Sequence, residues 1–169
     1  MRLRSIVSAA AVAACLLVGA RSAHALGTAR QGFGIGIGSG TIANGLSMKL
    51  MTGPGAFQGV VGFWGGGGVG DRFSHANGVA GSLDYLLEMP TIASNAYFNV
   101  AWSFGVGAGV GVPTTNSSLG AAVSGVAGLE FNFMVVPIDF VVELRPSIAV
   151  APDVGLHLVD FTASLRLWL

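Results

Sequence analysis

Residues 138–169 carry the strictest pattern in the chain. The first arm reads Ile138-Asp139-Phe140-Val141-Val142-Glu143-Leu144-Arg145, and the second runs from Val159 to Leu169. Successive side chains of a strand point to opposite faces. One face therefore gathers Ile138, Phe140, Val142 and Leu144 with Val159, Phe161, Ala163, Leu165, Leu167 and Leu169. The other gathers Asp139, Glu143 and Arg145 with Asp160, Thr162, Ser164 and Arg166. A face that apolar needs a non-aqueous neighbour, and the charges opposite it need one another or water. A small membrane barrel meets both demands, with lipid outside and a polar interior. A soluble ligand-binding barrel would carry the reverse pattern, apolar inside and charged outside.

Composition points the same way. Charged residues make up 9% of the 169, where an ordinary globular protein has about 25%. Residues 1–25 read as a cleaved secretory signal, with Arg2 and Arg4 ahead of an apolar core over 6–19 and Ala23-His24-Ala25 as the cleavage site. That core falls short of the ~18 apolar residues a spanning helix needs. Val12-Ala13-Ala14-Cys15 fits a lipoprotein box superficially, but a cut there would fall inside the apolar core. Cleavage before Leu26 removes Arg2, Arg4 and Arg21, leaving five basic residues against eight acidic ones, a net of −3. With no basic patch, nucleic acid is not an expected partner. Cys15 leaves as well, so neither a disulfide nor thiol chemistry is expected of the mature chain. Residues 26–169 are expected to form one domain.

Within that domain, apolar residues alternate with glycine or polar ones, the dyadic signature of barrel strands. The pattern predicts eight strands, near 32–38, 45–51, 56–64, 79–88, 96–110, 120–133, 138–145 and 159–169. The expected fold is all-β, an eight-stranded antiparallel up-and-down transmembrane barrel with a polar, side-chain-filled interior. Connections near 39–44, 65–78, 111–119 and 149–155 are longer and predicted to face the cell exterior. Those near 53–55, 89–95 and 134–137 are predicted to face the periplasm. Phe33, Phe57, Tyr97, Phe98, Phe131, Phe133, Phe140 and Trp168 fall at the periplasmic strand ends, where they would form an interfacial belt.

Alternation assigns Lys49, Asp84, Glu88, Glu130, Asp139, Glu143, Arg145, Asp160 and Arg166 to the interior. Six carboxylates cannot pair one to one with three cations, and an unpaired buried charge is costly. Inward glycines on the first, third and fifth strands would make room for these side chains and for Trp64 and Trp168. The expected result is a salt-bridged plug; a narrow ion- or proton-conducting path is the sharper alternative. Glu130 and Glu143 as a glycosidase pair would lack a cleft for sugar.

Gly65-Gly66-Gly67-Gly68-Val69-Gly70 satisfies G-x-G-x-x-G but lacks the following helix and the Lys-Ser/Thr of a phosphate loop, so it reads as a surface loop. Asp71, Arg72 and His75 on the same connection are candidate surface contacts. Ser74 and His75 could serve a lipid-modifying enzyme only if a fixed nucleophile–base geometry held them. His157 is expected near the outer rim of the last strand, and the two mature histidines lie too far apart in sequence to suggest a metal site.

Three stretches resemble a known group. They are Gly34-Ile35-Gly36 leading to Asn44-Gly45-Leu46-Ser47-Met48-Lys49; Leu83-Asp84-Tyr85-Leu86; and Val142-Glu143-Leu144-Arg145-Pro146 with Leu165-Arg166-Leu167-Trp168-Leu169. Across the mature chain these resemble the small outer-membrane barrels of the OmpA/OmpX/OmpW type, within them a family of uncharacterised bacterial surface barrels. Such barrels usually end in Phe, whereas this chain ends in Leu169. The resemblance implies residence in the outer membrane of a diderm bacterium, with membrane lipid and the barrel-insertion machinery as partners. It implies no catalytic activity and no cofactor. The function expected is structural or interactive, through extracellular loops that contact an outside ligand or surface, and a monomer is expected. The alternatives are a narrow channel for small or apolar solutes and a lipid-modifying enzyme.

Overall fold

The computed structural model describes residues 31–40, 42–64, 78–114 and 119–169. Its strands are β1 (Phe33–Gly40), β2 (Asn44–Thr52), β3 (Gly55–Trp64), β4 (Gly78–Glu88), β5 (Ala93–Ser94), β6 (Phe98–Pro113), β7 (Gly120–Phe133), β8 (Ile138–Leu144), β9 (Ser147–Ala151), β10 (Gly155–His157) and β11 (Phe161–Trp168). Two of the barrel's staves are each made of two pieces, β8 with β9 and β10 with β11. The two-residue β5 only flanks the start of β6. The result is a closed, eight-stranded antiparallel β-barrel.

Neighbours in sequence pair around the wall, β1 to β2, β3, β4, β6 and β7, then to β8 and β9. β11 pairs with β8 on one side and with β1 on the other, which closes the ring with Gly34 opposite Trp168 and Gly40 opposite Thr162. The backbone N–H of Leu169 reaches the Phe33 carbonyl at 2.9 Å to finish the seam. Closure leaves only the short β5 and β10 with a single neighbour among the described strands, and a paired wall of this kind avoids sticking to other strands.

Local chemistry sets the turns. β2 and β3 are joined by Gly53-Pro54 alone. Gly53 has φ +72°, a conformation that glycine adopts without penalty, and the Thr52 hydroxyl donates to the Gly55 carbonyl at 3.2 Å. The seventh stave breaks at Arg145-Pro146, because proline has no N–H to give the ladder. The Pro146 carbonyl still accepts from Gly125 N–H at 2.9 Å, and Arg145 N–H donates to the Asp160 carbonyl at 2.7 Å. Those two bonds carry the wall across the break.

Several strand limits differ from the sequence reading. β6 continues three residues beyond Val110 to Pro113, and the seventh stave runs on through Ala151. Both extensions follow from pairing with a neighbour, Val112 with Val79 and Ala149 with Ala122. The last stave begins earlier than expected, at Gly155, with an irregular step over 158–160.

The two faces are sharply sorted. Ten Asp, Glu, Lys and Arg side chains lie among the described residues; Asp153, on a connecting loop, is the one exposed, and the other nine are buried within the barrel. Ile37, Phe63, Leu83, Val106, Phe161, Leu165 and Leu167 are all exposed on the outer wall. Of the expected aromatic belt, Phe57, Tyr97, Phe98, Phe133 and Phe140 are exposed, and Phe33 and Phe131 are half-buried. Trp168 does not join them. It sits on the inward alternation, 6% exposed, with its indole N–H bonded to Asp139.

Candidate functional site

The lumen is where the fold concentrates chemistry. Each inward polar side chain is delivered by strand alternation, and each is denied water by a neighbouring stave. Lys49 on β2 forms an ion pair with Glu88 on β4 at 2.8 Å and with Glu130 on β7. Glu130 in turn faces Arg166 of β11 at 3.6 Å. Arg166 grips Asp139 of β8 through Nε and Nη2, at 3.1 and 3.0 Å, and its Nη1 donates to the Gln58 amide oxygen at 2.6 Å. Gln58 Nε2 passes the link to Glu143 at 2.6 Å. Glu143 lies 3.8 Å from Arg145, which forms its closest ion pair with Asp84 on β4.

Eight of the nine expected interior charges therefore belong to one connected network, in which each cation serves two carboxylates. That sharing resolves the mismatch of six carboxylates against three cations for five of the six. Asp160 stands apart and accepts a hydrogen bond from the Ser147 hydroxyl at 3.1 Å. The formal lumen charge is −3, six carboxylates against three cations.

Missing side chains make this packing fit. A Cβ on Gly107 would collide with the Asp84 carboxylate and come within 3.1 Å of Arg145 Nη2. A Cβ on Gly34 would lie 3.1 Å from the Trp168 ring, and one on Gly128 would lie 3.2 Å from Glu143 Cγ. Glycine is thus the complement of a long charged or aromatic residue on the facing stave.

The lumen is not uniformly polar. Leu86 and Val60 are fully buried in it, with Val126 and Val141 nearly so. At the end of the barrel that carries the β1–β2 connection, Ile42 is tucked against Ala43, Val60 and Ala80. This apolar cluster stoppers that mouth. Sequence reasoning placed residues 39–44 in an outward-facing turn and did not foresee that Ile42 folds inward.

Two network members were not among the expected charges, Gln58 and Trp168. Both were visible as inward positions, Gln58 directly opposite Lys49 and Asp84, and Trp168 opposite Gly34. His157 lies half-buried at the mouth on the last stave, where it lines a pocket with Asp160 and β10 pairs it with the inward Ser147. Asp71, Arg72, Ser74 and His75 lie outside the described residues, as do residues 1–25 and the side chain of Trp64. Among the described residues no group of three or more His, Cys, Asp or Glu is gathered to ligate a metal ion.

Comparison of the chain with protein-family models, with curated proteins and with solved structures finds no match in any of the three.

Proposed function

We propose that this chain is an outer-membrane β-barrel of a diderm bacterium, serving a structural or surface-interaction role through the connections at its loop-bearing end. One observation carries the reading: the barrel is inside out relative to a soluble protein. Its outer wall is apolar, and nine of the ten charged side chains among the described residues are inside. A wall of exposed Phe63, Leu83, Val106 and Phe161 would aggregate in water, whereas lipid solvates it. The closed hydrogen-bonded ring satisfies the other demand of a bilayer, that no backbone polar group be left bare.

The filled lumen favours an interactive role over transport. Arg166, Lys49, Leu86 and Gln58 are each at most 2% exposed, as expected of eight staves, whose interior is about the width of packed side chains. The resemblance to small surface barrels supports the same reading. The connections over 65–77 and 114–119 are then the segments offered to partners.

The test has two stages. The chain from Leu26 to Leu169 is folded into detergent micelles and run unboiled and boiled, with circular dichroism alongside; a faster, β-rich unboiled band is expected. An epitope placed within 65–77 is then tracked on intact diderm cells, where surface labelling is expected. Solubility in plain buffer with no gel shift would remove the membrane assignment, and labelling only after lysis would remove the surface role.

A further inference from the structure

Beneath the Ile42 stopper lies a small chamber that the charge network does not fill. It is lined by Ile42, Ser124, Arg145, Ser147, Asp160 and Thr162. The five polar members come from β7, β9, β11 and the segments flanking the two stave breaks, and each is at most 7% exposed. Their hydrogen bonding is incomplete. Ser147 donates to Asp160, but the Ser124 hydroxyl and Arg145 Nε are buried without a hydrogen-bond partner. A buried polar group in that state is costly, because it has lost its water without gaining a partner. Among the described residues no lysine or arginine forms an ion pair with Asp160, although every other lumen carboxylate has such a partner.

The local charge is also unbalanced. Arg145 is the cation of this half of the lumen, and it is already engaged by Asp84 and Glu143. Asp160 adds a third carboxylate to this part of the lumen, so the formal charge of Asp84, Glu143, Asp160 and Arg145 together is −2.

We propose that the chamber is a binding site for one small alkali cation, held by the Asp160 carboxylate and the hydroxyl oxygens of Ser124, Ser147 and Thr162. One carboxylate with neutral oxygens is a hard, all-oxygen donor set, which suits an alkali ion and not a soft transition metal. The space is the right size. The chamber offers about 10 Å³ to the centre of a water-sized guest, roughly one such site. A second pocket of about 30 Å³ adjoins it, sharing Ile42, Ser147 and Asp160 and reaching His157 at the mouth. That leaves room for water beside the ion, and an oxygen of that water can accept from Arg145 Nε–H. The bound cation neutralises the carboxylate that, among the described residues, no lysine or arginine pairs with.

The test uses the full mature barrel, folded in zwitterionic micelles and first verified by its gel shift. Thermal unfolding is followed in sodium chloride and in N-methylglucamine chloride at equal ionic strength. A higher midpoint in sodium, rising with the logarithm of its concentration, is expected for a site on the folded state. Asp160→Asn should abolish the difference between the two cations. Ser124→Val, which fills the chamber while sparing every ion pair, should abolish it too and covers the case in which Asp160→Asn fails to fold. Crystals soaked in thallium(I) should show anomalous density between residues 147 and 160. Equal midpoints in both salts, or a sodium advantage that survives in Ser124→Val, would overturn the site and leave the chamber to water alone.

Discussion

Arg166 and Asp139 face each other as direct partners on adjacent staves, and the guanidinium holds the carboxylate through Nε and Nη2 at 3.1 and 3.0 Å. The same carboxylate accepts the Trp168 indole N–H at 2.9 Å. One buried acid thus joins the last strand to the one before it, from two positions at once.

Removal of that acid should be severe. Asp139→Ala takes from a fully buried guanidinium its closest carboxylate, leaving it Glu130 at 3.6 Å and Gln58, and bares the indole N–H; breaking one side of a buried pair costs about 3–5 kcal/mol. A loss of that size is expected in the urea unfolding midpoint of the micelle-folded barrel. Trp168→Phe, which removes only the N–H, should cost less than half as much.

Glycines on the two faces of the wall should differ sharply in what they tolerate. Gly107→Ala pushes a methyl into the Asp84–Arg145 pair and should destabilise by about 1–3 kcal/mol, the usual penalty of overpacking. Gly125→Ala meets nothing nearer than Pro146 Cγ at 3.6 Å and should fold as the parent does. Parallel unfolding curves would separate the two.

Charge on the outer wall tests the membrane reading directly. Val106 lies midway along β6 and is 67% exposed. If the wall faces lipid, Val106→Arg should cost about 2–4 kcal/mol on folding into vesicles, the range for a cation at the bilayer midplane. In a water-facing wall the same change would be neutral or would improve solubility.

Transport is tested by planar-bilayer recording. With Arg166, Gln58 and Lys49 packed across the lumen, the parent barrel should give no discrete conductance steps. Reproducible steps at neutral pH would favour the narrow-channel alternative over a surface role.

Much of this was readable before any coordinates. Alternation alone put Asp139, Glu143 and Arg166 on one face and Phe140, Leu165 and Leu167 on the other, since the strand period admits only two answers. Pairing inside the lumen was not readable. Lys49 meets Glu130 from four staves away, straight across the ring, so their contact depends on barrel curvature and stagger and not on local sequence. Glu130 lies opposite Ala101 and Val141 on its own neighbours, and neither is charged. Ile42 was missed for a different reason. A turn residue has no strand period to report which way it points. Trp168 shows the limit of a rule applied too broadly, since its place at a strand end suggested the aromatic belt while its parity pointed inward.

The seam between β1 and β11 bears on how such a chain can be made. Its partners, Gly34 and Trp168, lie at opposite ends of the described chain. No ring exists until β11 has been synthesised, and a chain that lacks it presents two bare strand edges. Such edges recruit other strands. Ring closure therefore waits on β11, the strand that carries Trp168.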